Sequence, residues 1–174
     1  MPRPSRRRVV DLSKSVREPV QFDRATKIRT LLKNLHPLLS PELLSTLRAM
    51  GHGDEIALVD ANYPAASAGV PVIRLDAASA TQVLDAVLSV MPLDELEPCA
   101  AFRMQVVGDP AAEQPIFQEF RDLLRRHEPH ACELGSIERF AFYERVKRAF
   151  AVVATGERRL YGNIILKKGI IRPS

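Results

Sequence analysis

The chain has 174 residues, 26% of them charged, and a formal net charge of +4 at neutral pH. This length predicts a single domain that can bury a sizeable core without disulfides or a structural metal. Cys99 and Cys132 are the only cysteines and lack a C-x-x-C partner, so neither a zinc site nor a disulfide framework is predicted, and the cytoplasm is the expected compartment. No apolar run approaches the roughly 18 residues of a transmembrane helix, which excludes a conventional membrane-spanning segment.

The positive charge is concentrated in residues 1–29. They carry nine Lys and Arg against three Asp and Glu, whereas the rest of the chain carries 16 against 18, so an arm of +6 precedes a domain of −2. No apolar stretch follows Arg6-Arg7-Arg8, so we expect a disordered arm and not an export signal. A polybasic arm could also bind nucleic acid or another anionic partner, although the domain at residues 30–174 gives no reason to expect nucleic acid.

The first predicted elements are a helix and a strand joined by a short turn. Ser40 can cap a helix that begins at Pro41, and Gly51 is expected to end that helix. The mostly apolar residues 55–59 predict a buried strand, which ends at Asp60.

Strands and helices alternate along the rest of the chain. Ser79 and Gln82 form a capping box before the most amphipathic of the predicted helices. The other predicted elements are strands at residues 71–75, 101–107, 132–134, 151–155 and 163–166, and helices at residues 80–91, around 117–124, and at 137–148 after Ser136. This alternation predicts a single-domain α/β fold with a mostly parallel sheet and helices on both faces. Ligands bind beyond the carboxyl ends of such strands, which is the position of Asp60.

Two stretches on predicted elements could carry chemistry. His52 lies between Gly51 and Gly53 on the first turn, and a histidine there can exchange protons near neutral pH. The alternative is a solvated loop histidine. Arg139 and Tyr143 are four residues apart and therefore neighbours on one helix face, where the alternative is a surface ion pair beside a core aromatic residue.

A third stretch, residues 155–163, joins two apolar strands. Tyr161 and Asn163 offer a hydroxyl and an amide that suit the donors and acceptors of a sugar, although Gly162-Asn163 could simply form a turn. The sequence contains no phosphate-binding loop, no nucleophile elbow and no helical metal-binding spacing of its histidines.

Five motifs together resemble the RbsD/FucU family of sugar mutarotases, and its fucose mutarotase branch in particular. In chain order they are LHPLLSPELL (residues 35–44), MGHGDE (50–55), DANYPA (60–65), RFAFYER (139–145) and TGERRLYGNIILKKG (155–169). The resemblance runs from about Leu31 to Ile171. It implies an RbsD-like fold and an isomerase that needs no cofactor or metal and interconverts the α and β anomers of a free monosaccharide, L-fucose above all.

The resemblance also implies a site and an assembly. His52 would act as the acid, and the sugar would be contacted by Asp60, Arg139, Tyr161, Gly162 and Asn163, with Tyr143 as a further contact. Family members form homo-oligomeric rings, decamers, in which a neighbouring subunit completes each site.

The chemistry fits these residue types, because opening a hemiacetal needs one proton donor and one acceptor. The base stays open between Tyr161, Asp60 and a bound water. D-ribose pyranase activity is an alternative, but that branch typically has alanine in place of Gly162 and histidine in place of Arg139. A non-catalytic sugar-binding or scaffold protein of the same fold is another. The basic arm and the Asn62-Tyr63 pair depart from the family pattern.

Overall fold

The structure is a computed structural model that describes residues 32–97, 99–128 and 133–172. Its strands are β1 (Glu55–Val59), β2 (Val72–Leu75), β3 (Ala101–Met104), β4 (Leu134–Ile137), β5 (Ala151–Thr155) and β6 (Ile164–Lys167). Its α-helices are α1 (Pro41–Ala49), α2 (Ala80–Leu88), α3 (Pro115–His127) and α4 (Arg139–Val146). A short 3-10 helix spans Ala65–Ser67. Among the described residues, no helix is long and apolar enough to cross a bilayer.

The strands form one sheet in the order β2-β5-β1-β6-β3-β4. The pairs β1/β5, β2/β5 and β3/β4 are parallel, whereas β6 is antiparallel to its neighbours β1 and β3. All strands except β6 therefore end at the same edge of the sheet, and β6 begins there. The predicted single-domain α/β fold with a mostly parallel sheet is confirmed. The predicted arm lies outside the described residues and stays a prediction.

Helices cover both faces of this sheet, which explains why its central strands are apolar throughout. Ile56 and Leu58 of β1 pack into a core cluster with α1, α2 and α3, while Ala57 and Val59 pack against α4 through Phe142. Successive side chains of a strand point to opposite faces, so a strand covered on both faces needs apolar residues at every position. Each large side chain buried in this way contributes about 1.5–3 kcal/mol.

Local capping signals were reliable guides to the first two helices. The Ser40 hydroxyl accepts a hydrogen bond from the Leu43 amide, and Ser79 forms the predicted reciprocal capping box with Gln82. The end of α1 differs in detail, because Met50 is already extended and the left-handed φ of 84° belongs to Gly53. Gly51 follows the helix without being its left-handed cap.

The prediction was wrong around β4 and α4. Residues 134–137 pair with β3, so Ser136 lies in a strand and the helix begins only at Arg139. Glu138 caps this helix by accepting hydrogen bonds from the amides of Phe140 and Ala141. Pairing with β3 outweighed the local preference for an earlier helix start, and it sets Arg139 at the carboxyl end of β4.

Three other strands also differ from their predicted bounds. β2 begins one residue after its predicted start, β3 ends three residues before its predicted end, and β6 both begins and ends one residue later than predicted. The helix α2 ends at Leu88, three residues before its predicted end. Asn163 directly precedes β6, and its side-chain amide is bonded to Asp60.

Gly156 lets the end of β5 approach the chain that follows β2. A Cβ at this position would lie 2.0 Å from the Asp76 carbonyl oxygen. We expect Gly156→Ala to lower the free energy of unfolding by about 3 kcal/mol, because backbone and not a flexible side chain would have to move. Urea unfolding would measure this loss. Gly51→Ala is the control, since its Cβ would meet its nearest neighbour, Asp54 Oδ2, at an ordinary 3.7 Å; equal midpoints for the two variants would contradict the prediction.

Candidate functional site

Asp60 and Asn163 form a buried pair at the carboxyl edge of the sheet. Asp60 directly follows β1 and Asn163 directly precedes the antiparallel β6, so the sheet brings two residues 103 positions apart into contact. The Asn163 Nδ2 group donates to Asp60 Oδ2 at 2.7 Å, and the Asp60 amide donates to Asn163 Oδ1 at 2.9 Å. This reciprocal bond fixes the orientation of both polar side chains.

The environment of Asp60 favours its protonated form. Burial is the largest influence and raises the pKa of its carboxyl above the ordinary 3.8, and nearby Glu157 adds to the rise. Hydrogen bonds from Asn62, Asn163 and Tyr63 oppose the shift without cancelling it. Asp60 is thus a stronger proton acceptor than a solvated aspartate.

Tyr161 has a strained backbone conformation in the turn just before Gly162 and Asn163. Tyr161 has a left-handed φ of 62°, which is rare for a bulky residue and often marks a functional site. Its hydroxyl accepts a hydrogen bond from the Val107 amide at 3.2 Å. A Cβ at Gly162 would lie 2.7 Å from Glu157 Cγ, so this position accepts a side chain only if its neighbours move.

Arg139 lies at the same edge, at the start of α4. It lines a pocket of about 150 Å³ together with Val107 and Gly108. Its guanidinium stacks on the Phe140 ring at 4.6 Å, and its buried Nε has no hydrogen-bond partner among the described residues. Buried donors are normally satisfied, so this Nε is available to a further acceptor.

Tyr143 lies one helical turn after Arg139, as predicted, but lines a different pocket of about 290 Å³. The Phe140 side chain borders both pockets. The Tyr143 ring meets the Tyr63 ring edge-on, with 5.2 Å between centroids. The structure therefore gathers Asp60, Asn163, Tyr161, Gly162, Arg139 and Tyr143 along one edge of the sheet.

His52 lies at the opposite edge. It occupies the turn before β1, whereas Asp60 follows β1, and a strand of five residues is about 16 Å long. The hydrogen bonds that fix the turn include those from the Gly51 amide to Asp54 Oδ2 and from the Gly53 amide to the Lys168 carbonyl. Within one chain, His52 does not reach the other predicted site residues.

Asp94 is a neighbour of His52 that the sequence did not reveal. Its Oδ1 atom lies 3.3 Å from His52 Nε2, and its side chain is only 4% exposed. Burial raises the pKa of Asp94, but the Leu96 amide, His52 and Lys167 outweigh it, so the pKa lies below 3.8. The carboxylate can orient the His52 imidazole through this contact. No sequence motif marks Asp94, which lies 42 residues after His52 in the irregular connection between α2 and β3.

The model of the RbsD / FucU transport protein family matches residues 33–171. The chain belongs to the RbsD/FucU family. This confirms the resemblance inferred from the five motifs, and the match covers nearly all of the described residues.

Several RbsD/FucU proteins are close relatives. A fucose mutarotase from Homo sapiens is 48% identical over 148 residues, which is 80% of this chain and 94% of that protein. The crystal structure of a fucose mutarotase from Streptococcus pneumoniae in complex with L-fucose has a TM-score of 0.73 and 43% identity, covering 81% of this chain and 100% of that one. The crystal structure of FucU from Bifidobacterium longum has a TM-score of 0.76 and 38% identity, covering 80% and 100%.

Within the residues that the structure describes, no group of three or more His, Cys, Asp or Glu side chains could hold a metal ion.

Proposed function

We propose that this protein is an L-fucose mutarotase, an isomerase that interconverts the α and β anomers of the free sugar. Identities of 45–48% to fucose mutarotases, and a solved relative that holds L-fucose, support the activity and the substrate. The structural observation that carries the proposal is the buried Asp60–Asn163 pair, which holds a proton acceptor against an amide at the edge of the sheet that also carries Tyr161 and Arg139.

The reaction needs only proton transfers. A proton moves from the His52 imidazole to the ring oxygen while the anomeric hydroxyl gives its proton to a base, and the bond between C1 and the ring oxygen breaks to leave the open-chain aldehyde. Rotation about the bond between C1 and C2 presents the other carbonyl face, and the reverse transfers close the ring. Asp60, with its raised pKa, is suited to accept the anomeric proton.

The remaining site residues bind the sugar. Asn163 and Tyr161 have the donors and acceptors that orient hydroxyl groups. The Nε of Arg139, which has no partner in the part of the chain that the structure describes, and the planar guanidinium fork suit two neighbouring sugar oxygens. Gly162 keeps the space beside Glu157 and Ile116 free of a side chain. Tyr143 adds an aromatic wall.

A second copy must complete the site, since His52 and Asp60 lie at opposite ends of β1. We expect a head-to-tail contact, in which the edge that carries His52 of one copy faces the edge that carries Asp60 of the next; such a contact forms a ring when the rotation between copies closes. Both edges offer apolar surface. Phe140 and Leu160 are exposed at the carboxyl edge, and a pocket of about 400 Å³ with mostly apolar lining opens beside α1 at the amino edge. We assign the protein to the cytoplasm as a homo-oligomeric ring, a decamer like those of the family.

Asp94 acts in this scheme as the residue that positions His52. We expect Asp94→Asn to slow anomer exchange about tenfold, less than loss of the imidazole, because general acid–base catalysis contributes roughly 10²–10⁴-fold. Exchange rates from NMR would show this, with Glu95→Gln, whose partner is the exposed Arg172, as the control.

The effect of Asp94→Asn on the free energy of unfolding should also depend on pH. The pKa of Asp94 is lowered on folding, so its carboxylate stabilises the fold above 3.8, and this contribution is lost as the pH falls through the lowered pKa. The difference in unfolding free energy between wild type and Asp94→Asn should therefore shrink in acid. A difference that is unchanged by pH would contradict the pairing with His52 and Lys167.

The proposed activity is tested by two-dimensional NMR exchange between the anomeric protons of L-fucose, with D-ribose as the competing substrate. We expect the cross-peaks to report anomer exchange faster than the buffer rate. Exchange should be faster for L-fucose than for D-ribose, because Arg139 and Gly162 match the fucose branch. Exchange at the buffer rate for both sugars, with binding of L-fucose retained, would instead identify a non-catalytic sugar-binding protein. Deleting residues 1–29 should leave exchange unchanged if the arm has a separate role.

A further inference from the structure

Tyr63 lies on the turn that Asp60 organises. The Asp60 Oδ1 atom accepts a hydrogen bond from the Asn62 amide at 2.9 Å, and the Asp60 carbonyl accepts one from the Tyr63 amide at 3.1 Å. These bonds fix the backbone that carries the tyrosine. The Tyr63 ring also packs edge-on against Phe142 and Tyr143, with centroids 6.2 Å and 5.2 Å away.

Tyr63 also separates two pockets. Asp60 lines a pocket of about 500 Å³, and Tyr143 lines the neighbouring pocket of about 290 Å³. Tyr63, Pro64 and Ser67 border both. A bound sugar that contacts both Asp60 and Tyr143 must therefore lie across the surface formed by Tyr63, Pro64 and Ser67.

The chemistry of this surface differs from that of the rest of the edge. Asp60, Asn163 and Arg139 are polar and suit hydroxyl groups, whereas Tyr63 shares its pocket with Pro64, Ala68 and Phe140. Glu144 and Lys147 line the same pocket, but their exposed side chains pair with each other. Burial, with a smaller contribution from Tyr143, raises the pKa of the Tyr63 hydroxyl, so the side chain stays neutral. L-fucose is a 6-deoxy sugar, and its one fully apolar substituent is the C6 methyl group.

We propose that Tyr63 contacts the C6 methyl of the sugar and thereby selects 6-deoxy hexoses. This inference rests on the proposed mutarotase function and adds a specificity-determining residue to it. The aromatic ring supplies the contact, so the hydroxyl is dispensable and the ring is not.

Three sugars with the same ring stereochemistry test this assignment. L-fucose carries the methyl, D-arabinose has hydrogen in its place, and L-galactose has a hydroxymethyl group. For wild type we expect kcat/KM to be roughly tenfold higher for L-fucose than for D-arabinose, the usual effect of one buried methyl group. In Tyr63→Ala this ratio should fall towards one while D-arabinose retains most of its rate. Tyr63→Phe should keep the wild-type ratio and the preference over L-galactose.

A binding readout separates this proposal from the mutarotase assignment. Saturation-transfer NMR should show the strongest signal on the C6 methyl protons with wild type and Tyr63→Phe, and lose it with Tyr63→Ala or, if alanine prevents folding, with Tyr63→Leu. An equal loss of rate for L-fucose and D-arabinose in the variants, with the methyl signal intact, would overturn the role of Tyr63. Methyl saturation without any anomer exchange would overturn the mutarotase function alone.

Discussion

Replacement of His52 by alanine should slow enzymatic exchange of the L-fucose anomers at least a hundredfold. The imidazole is the proton donor in the proposed reaction, and removal of a general acid typically costs about 10²–10⁴ in rate. Its ring is 42% exposed and contacts Asp94 at the surface of the chain, so the substitution should leave the fold and the affinity for the sugar nearly unchanged.

The control for this variant is His36→Gln. His36 Nδ1 accepts a hydrogen bond from the Leu38 amide, and neither residue lines the pockets at the carboxyl edge. NMR exchange should be at the wild-type rate for this variant. A His52→Ala protein that keeps its rate within about a factor of two would remove histidine from the mechanism.

Asp60→Asn should have a comparable effect and should also change the pH profile. The folded-state pKa of Asp60 lies above 3.8, so the carboxyl takes up a proton at a higher pH than a solvated aspartate would. If ionised Asp60 is the base, exchange should decline on the acid side at a pH above 3.8, and this limb should disappear from the residual activity of Asp60→Asn.

The same shift has a consequence for stability. A raised folded-state pKa means that protonation of Asp60 favours the fold, a contribution present below 3.8 and lost as the pH rises through the folded-state value. Ionised Asp60 therefore costs stability at neutral pH.

Asp76→Asn is the matched control for the pH profile of the exchange rate, since Asp76 lines the same pocket but is exposed and paired with Arg74. If the exchange rates of Asp60→Asn and Asp76→Asn both declined on the acid side at the same pH, Asp60 would be ruled out as the source of that decline.

The parts of the fold that local chemistry decides could be predicted from the sequence. Ser40 and Ser79 cap their helices as expected, and β1 has its predicted bounds, because caps and apolar runs act over a few residues. The boundary between β4 and α4 could not be predicted in this way. It depends on the pairing of Met104 with Ile137, two residues that are distant in sequence.

In the candidate site, too, some features could be predicted from the sequence and others appear only in the folded chain. The positions of His52 before and Asp60 after β1 were predicted correctly, and strand geometry then requires that they lie at opposite edges. The contact of Asp94 with His52 and the bond between Asp60 and Asn163 arise only from the folded chain. That the buried Arg139 Nε has no partner within the described ranges is likewise visible only in the folded chain.

The claim that two copies share each site is tested most directly by combining two inactive variants. His52→Ala and Asp60→Asn proteins are co-expressed with different tags, and assemblies that carry both tags are isolated and assayed by NMR exchange. In a head-to-tail ring with random assembly, about one quarter of the sites receive an intact His52 from one copy and an intact Asp60 from the other, so we expect about one quarter of the wild-type rate. Mixed assemblies as inactive as the separate variants would show that His52 and Asp60 act within one chain or not in the same site.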